Sequence, residues 1–165
     1  MQAAEALADA VDHAGLPGGA AAGGNRHRRR AVRAVECASA DDSIEIMHGE
    51  RLPGRQFFKS PTFARQASEL DAWEAVDELK RRLASDPTLG DVIKGTSGLR
   101  KVRMPLPGRG AKGGARVVYF QVVTPATILL LAVYAKNEQE DLDDDDKKAL
   151  DRLRRAMCRH LNLPT

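Results

Sequence analysis

The basic residues between positions 94 and 121 are the part of this sequence best suited to chemistry. The stretch holds seven Lys or Arg side chains and no Asp or Glu, namely Lys94, Arg100, Lys101, Arg103, Arg109, Lys112 and Arg116. A solvated surface ordinarily mixes charges of both signs, because interspersed charges avoid self-repulsion. The whole chain carries a formal net charge of only +3, so this positive charge is local. The stretch therefore predicts a surface that binds an anion.

Strand periodicity predicts that several of these cations meet on one face of a sheet. Three strands are predicted in this part of the chain, over residues 99–104, 115–123 and 127–135. In the first strand apolar side chains alternate with Lys101 and Arg103, which therefore share one face. Arg116 lies near the start of the second strand, and Lys136 follows the third. Consecutive antiparallel pairing is the economical topology and would bring all four together.

The loop between the first two strands is rich in glycine and carries Arg109 and Lys112. Its sequence GRGAKGG does not end in Gly-Lys-Ser/Thr, and a strand follows it instead of a helix. It therefore lacks the lysine and the magnesium-binding hydroxyl of a nucleotide-binding P-loop. A loop that closes over a polynucleotide backbone fits this sequence better.

Apolar residues at helical spacing predict helices before and after the strands. A short strand at QFF leads into a helical stretch with Ser60 as its N-cap and Pro61 at its first position. The apolar stripe of this stretch runs to Leu83 and includes Trp73, which is therefore assigned to packing rather than recognition. A second helix begins in the acidic run DLDDDD, whose position in a first turn suits the helix dipole and needs no metal ion.

The first part of the chain has a different composition. Residues 1–54 are rich in Ala and Gly and then in Arg, with few large apolar side chains. Such a segment cannot offset the entropy cost of ordering, so it is predicted to be a disordered leader or a mis-assigned start, with Met47 as the alternative start. Its arginine cluster is interpreted as a solvated linker, or alternatively as an RNA-binding arm. The folded domain is predicted to span residues 55–165.

Composition excludes several other classes. The two cysteines, Cys37 and Cys158, are far apart and form no CxxC pattern, which argues against a disulfide scaffold or a structural zinc site. No metal site and no cofactor are expected. The longest apolar run is too short to cross a bilayer, and no signal-peptide pattern opens the chain, so a cytoplasmic protein without membrane contact is expected.

Two blocks of the sequence carry a resemblance to a known family. GDVIKGTSGLRKVRMPLPGRGAKGGARVVYF, followed by LLLAVYAKNEQEDL, resembles the HigB branch of the RelE/ParE superfamily, the toxins of bacterial type II toxin–antitoxin systems. The resemblance covers about residues 57–153. It implies a small α+β fold, in which N-terminal helices and a C-terminal helix pack on a small antiparallel sheet. It also implies metal-independent cleavage of messenger RNA on the ribosome, which inhibits translation.

The resemblance further implies partners and site residues. The usual inhibitor is a helix-turn-helix antitoxin, and the complex is expected to bind its own operator DNA. By similarity Lys101, Arg103, Arg116 and Lys136 are the expected catalytic residues. The expected RNA-binding residues are Lys94, Arg100, Arg109, Lys112, Tyr119 and Tyr134. The two tyrosines would stack on a base or donate a proton, or alternatively belong to the core. The RelE branch has a tyrosine after the last strand, where this chain is acidic, so the general acid and base are not identified.

Two other functions are compatible with the sequence. A ParE-like toxin would inhibit DNA gyrase through protein contacts and cleave nothing. A nucleic-acid-binding module without catalysis would also need a basic surface, but it gives no reason for cations on a sheet face in place of aromatic side chains. The basic stretch favours the endoribonuclease.

Overall fold

The computed structural model of the protein describes residues 47–109, 113–124, 126–136 and 141–165. The predicted leader before residue 47 lies outside these residues. The elements, in chain order, are β1 (Met47–Leu52), β2 (Arg55–Lys59), α1 (Pro61–Glu69), α2 (Trp73–Ser85), β3 (Asp91–Val92), β4 (Arg100–Met104), β5 (Ala115–Val122), β6 (Thr127–Ala135) and α3 (Asp144–His160). The predicted α+β class, with helices before and after the main strands, is confirmed.

The strands form one six-stranded sheet in the order β1-β2-β6-β5-β4-β3. The three predicted strands correspond to β4, β5 and β6, which pair antiparallel in sequence order as expected. One pair departs from the predicted antiparallel sheet, because β2 and β6 run parallel. The chain leaves β2 through α1 and α2 and returns beside it only with β6, and such a crossover joins parallel strands.

The sheet begins before residue 55, where the domain was predicted to start. β1 pairs antiparallel with β2 through a turn at Gly54, whose φ is +79°. In this hairpin Glu50 accepts a hydrogen bond from Lys80 of α2, a side chain that is only 2% exposed. This bond is the main cause of the lowered pKa of Glu50. The strand MHGERL was not predicted because it is mostly polar and lacks the β-branched residues that indicate a strand.

The predicted N-terminal helical stretch is divided into two helices. Ser60 caps α1 and Pro61 opens it, both as predicted. The helix stops at Glu69 because Asp71 adopts a left-handed conformation with φ of 49°, which a short polar residue tolerates better than most. The reversal lets Trp73 start α2 while it still packs against the core, and the indole Nε1 donates to Ser68 Oγ at 3.2 Å.

Each face of the sheet carries its own apolar core. On one face α1 and α2 supply Phe63 and Leu79, which cluster with side chains of β4, β5 and β6. On the other face α3 supplies Leu150 and Met157. β6 lies between these layers, and all nine of its residues are buried. None of the helices in the described residues is both long and apolar enough to cross a membrane.

The C-terminal helix forms as predicted from the acidic run. Asp143 is the N-cap of α3, and its side chain accepts from the backbone N–H of Asp146 at 2.8 Å. The Asp146 carboxylate accepts in return from the backbone N–H of Asp143, which completes a capping box. The acidic residues of this turn therefore have a structural use.

Replacement of Ser60 tests how α1 is fixed to the sheet. Ser60 is fully buried, its Oγ accepts from the Phe63 N–H at 2.9 Å, and it donates to the Leu131 carbonyl at 2.6 Å. We expect Ser60→Ala to lower the free energy of unfolding by about 1 kcal/mol, because a buried N–H loses its acceptor. Urea unfolding measures this, with the exposed Ser85→Ala as the matched control. Equal urea midpoints for Ser60→Ala and Ser85→Ala would contradict the role of Ser60 in fixing α1 to the sheet.

Candidate functional site

A groove of about 460 Å³ opens where β4 extends beyond the short strand β3. All four residues predicted to be catalytic line it. Five basic and two acidic side chains surround the groove, which gives it a net formal charge of +3. They are Arg82, Lys101, Arg103, Arg116 and Lys136, together with Asp91 and Asp141. Basic residues that are concentrated in one part of the sequence are therefore also concentrated at one place in the structure.

Strand register brings the predicted catalytic residues together. Arg103 of β4 lies directly opposite Arg116 of β5, on the face of the sheet that also bears Lys101. The backbone N–H of Lys136 donates to the Gly114 carbonyl at 3.0 Å, which fixes the end of β6 beside the start of β5. A Cβ at Gly114 would lie 3.6 Å from Arg103 Nε, so Arg103 reaches the same point. Like charges placed opposite each other on a sheet are destabilising, and a bound anion would relieve this.

Asp141 supplies a carboxylate to this cluster from outside the sheet. Lys101 Nζ donates to Asp141 Oδ1 at 3.0 Å. The hydrogen bond and charge of Lys101 lower the pKa of Asp141, and the charges of Lys147 and Arg116 add to the effect. The carboxylate is therefore ionised at neutral pH. The sequence stretch without acidic residues thus acquires a negative partner from a segment about forty residues further along the chain.

Two buried donors lie on neighbouring strands, and one of them belongs to Arg116, which lines the groove. Tyr134 lies opposite Arg116 in the β5–β6 register. The Tyr134 hydroxyl and Arg116 Nη1 are both buried, and neither has a hydrogen-bond partner among the described residues. Burial is the main cause that raises the pKa of Tyr134 to about 12, so its hydroxyl keeps its proton at neutral pH. Tyr134 is 1% exposed, so the described conformation does not allow a base to stack on it.

Tyr119 and Arg100 are not brought to the groove. Both belong to the opposite face of the sheet, where they are register partners. The single Tyr119 hydroxyl proton points to two carbonyls, of which Leu89 is nearer than Pro87. Burial raises the pKa of Tyr119 to about 12. Arg100 Nη1 donates to the carbonyls of Thr88 and Gly90 at 2.6 and 3.1 Å. These two side chains hold the loop that joins α2 to β3.

The other predicted RNA-binding residues lie away from the groove or outside the described residues. Lys94 is exposed in the turn that joins β3 to β4, and Arg109 is exposed in the loop after β4. Neither lines the groove. Lys112 belongs to the part of that loop outside the described residues.

Three charged residues of the groove were missed by the sequence analysis. Arg82 comes from the last turn of α2, Asp91 from β3, and Asp141 from the residues before α3. A signal for Arg82 exists in the sequence, since its neighbour Leu83 belongs to the apolar stripe and the adjoining positions must face outward. No local pattern indicates that Asp141 approaches Lys101.

Within the described residues, no group of three or more His, Cys, Asp or Glu side chains is arranged to hold a metal ion. No protein-family model matches this chain.

Proposed function

We propose that this protein is the toxin of a type II toxin–antitoxin system of the HigB kind, and that it cleaves messenger RNA on the ribosome without a metal ion. The resemblance of its sequence to the RelE/ParE superfamily suggests the activity. The observation that supports it best is the convergence of four basic side chains, Lys101, Arg103, Arg116 and Lys136, on one groove. The proposed activity would inhibit translation in the cytoplasm.

The groove has the charge that this reaction requires. In metal-independent cleavage the 2′-oxygen of RNA attacks phosphorus, the bond from phosphorus to the 5′-oxygen breaks, and a 2′,3′-cyclic phosphate forms. A base takes the proton of the 2′-hydroxyl, and an acid protonates the leaving 5′-oxygen. Negative charge grows on the phosphoryl oxygens in the transition state, where positioned guanidinium groups stabilise it. In the proposed reaction Arg103 and Arg116, placed opposite each other, have this role.

Lys101 has a role that depends on its partner. Its ammonium group donates to Asp141 in this structure, and a group that donates cannot accept the proton of the 2′-hydroxyl. As a donor, Lys101 would instead bind the substrate phosphate after Asp141 is displaced. The Tyr134 hydroxyl lies opposite Arg116 but is buried, so it would become a second proton donor only after the side chains that cover it move.

The proposed partners follow from the family resemblance. They are messenger RNA on the ribosome, a helix-turn-helix antitoxin, and operator DNA bound by the toxin–antitoxin complex.

Primer extension on transcripts after brief induction of the protein tests the proposed function. Discrete cuts within coding sequences, absent from cells that make Arg116→Ala, are expected. Intact messages together with gyrase-linked DNA breaks would overturn the proposal in favour of a ParE-like toxin. Intact messages and intact DNA, with RNA still bound by the purified protein, would favour a binding module.

Chelation is expected to leave cleavage unchanged. The groups assigned to the reaction are Lys, Arg and Tyr side chains, which act as donors and charges and not as ligands of a divalent ion. The measurement is the cleavage of ribosome-bound messenger RNA by purified protein that was itself treated with EDTA and then freed of chelator before it meets the ribosomes. This order keeps the magnesium that the ribosomes need. Activity that disappears and returns with an added metal ion would contradict the proposed chemistry.

A further inference from the structure

A second cavity, of about 440 Å³, lies on the same side of the sheet as the groove. One wall is the turn after β3, with Gly95, Thr96 and Ser97. The other wall is the exposed side of α3, which carries three basic and two acidic side chains: Lys147, Lys148, Arg155, Asp144 and Asp151. The function proposed above makes no use of this cavity.

The two walls of the second cavity continue the two walls of the groove. On one side Asp91 of the groove belongs to β3, and the chain runs directly from β3 into the turn that contains Gly95. On the other side Asp141 of the groove is followed by Asp143, the N-cap of α3. Lys147, in the first turns of α3, is close enough for its charge to lower the pKa of Asp141. The groove and the cavity therefore follow one another along β3 and along the start of α3.

The basic residues of the cavity are available to a polyanion at low cost. Each of the three has a carboxylate partner on its own helix, with N–O distances of 3.1 Å for Lys147, 3.6 Å for Lys148 and 2.7 Å for Arg155. Lys148 and Arg155 are more than half exposed. Exposed pairs of this kind contribute little to stability and exchange readily with another anion. The facing wall carries only small side chains, those of Thr96 and Ser97 beside Gly95. These side chains leave room for a nucleic-acid backbone.

We propose that a single strand of RNA bound in the groove continues into this second cavity, where its phosphates contact Lys148 and Arg155. The inference rests on the proposed function, because it extends the same RNA strand beyond the site of cleavage. Charge and shape support this occupant. The cavity is open, and apart from one glycine its lining residues carry charges or hydroxyl groups. Along α3 the rise from Lys147 to Arg155 is about 12 Å, a length suited to an extended chain rather than to a compact small molecule.

Binding of RNA of two lengths to matched variants tests the inference. The probes are 2′-O-methyl oligonucleotides, which cannot be cleaved: one of about three nucleotides, which fills only the groove, and one of about nine, which reaches the cavity. The double variant Lys148→Ala with Arg155→Ala removes the cavity contacts. The double variant Arg152→Ala with Arg159→Ala is the control, because it removes the same charge from exposed positions of the same helix that do not line the cavity.

The cavity variant is expected to bind the long probe about tenfold more weakly than the wild type and the short probe equally well. For the long probe its slope of log K against log salt should fall by about 1.4, because each lost contact with a single strand removes about 0.7. The control variant should match the wild type with both probes. Equal losses in the two double variants, or no preference of the wild type for the long probe, would overturn the inference.

The short probe separates this inference from the function on which it rests. If the wild type binds the short probe and Arg116→Ala weakens that binding, the groove is an RNA site and the long probe decides the question of the cavity. If Arg116→Ala leaves the short probe equally well bound, the proposed use of the groove is wrong, and its extension into the cavity is overturned with it.

Discussion

Replacement of Arg116 by Ala is expected to reduce the rate of RNA cleavage by about 100- to 1,000-fold, the usual effect of removing one donor that stabilises a transition-state charge. Arg116 lines the groove, lies opposite Arg103, and has a buried Nη1 without a partner among the described residues. Because Arg116 lines the groove, its guanidinium group is placed to donate to a bound phosphoryl oxygen. Cleavage of ribosome-bound messenger RNA by purified protein is the measurement.

The fold should survive this substitution. No hydrogen bond to Arg116 Nη1 is lost, so the urea midpoint of Arg116→Ala is expected to stay near that of the wild type. Arg152→Ala, an exposed arginine of α3 outside both cavities, is the matched control and should cleave normally. Cleavage by Arg116→Ala at the wild-type rate would remove Arg116 from the reaction. A lost activity accompanied by a lower midpoint would indicate a structural role instead.

Replacement of Asp141 by Asn is expected to act in the opposite direction and to strengthen RNA binding about tenfold. The carboxylate lies 3.0 Å from Lys101 Nζ, in the region that a substrate phosphate must enter, and its negative charge repels that phosphate. Asn keeps the size of the side chain and removes the charge. Binding of a 2′-O-methyl oligonucleotide measures the effect. Between about pH 5 and pH 8 the ratio of the wild-type and Asp141→Asn dissociation constants should stay constant. The lowered pKa keeps Asp141 of the wild type ionised throughout this range.

Asp91→Asn is the control for this experiment. It removes the same charge from another wall of the groove, and in the described residues its carboxylate forms no ion pair with a groove cation, so its effect should be clearly smaller. Equal effects of the two variants would mean that Asp141 contributes only general repulsion. If Asp141→Asn binds RNA more tightly but no longer cleaves it, Asp141 is the proton acceptor of the reaction and not merely a competitor of the substrate.

The sequence predicts the part of the groove that depends on local periodicity. Alternation along β4 places Lys101 and Arg103 on one face, and antiparallel register then brings Arg116 beside them. Alternation also places Arg100 on the opposite, apolar face. The prediction that Arg100 binds RNA together with Lys101 and Arg103 is therefore inconsistent with strand periodicity. Arg100 lies where alternation requires and binds carbonyl groups of a loop.

Long-range contacts are the part that the sequence does not predict. Asp141 reaches Lys101 only because α3 packs on the sheet and fixes the residues before it, and no pattern within either segment indicates this contact. The position of Arg82 depends likewise on the break at Asp71, which sets the direction of α2. The parallel pairing of β2 with β6 is a third case, because periodicity identifies a strand but not its distant neighbour.

That parallel pairing has a consequence for the order in which the chain folds. β4, β5 and β6 are adjacent in sequence, so their meander closes only short loops, whereas Ser60 meets the Leu131 carbonyl across a separation of 71 residues. Contacts between distant residues form slowly, because the entropy of closing the loop must be lost first. The meander of β4, β5 and β6 should therefore form first. The β1–β2 hairpin, with α1 and α2, should pack on it afterwards. During synthesis, the three strands that carry the groove would accordingly associate only when β6 has left the ribosome.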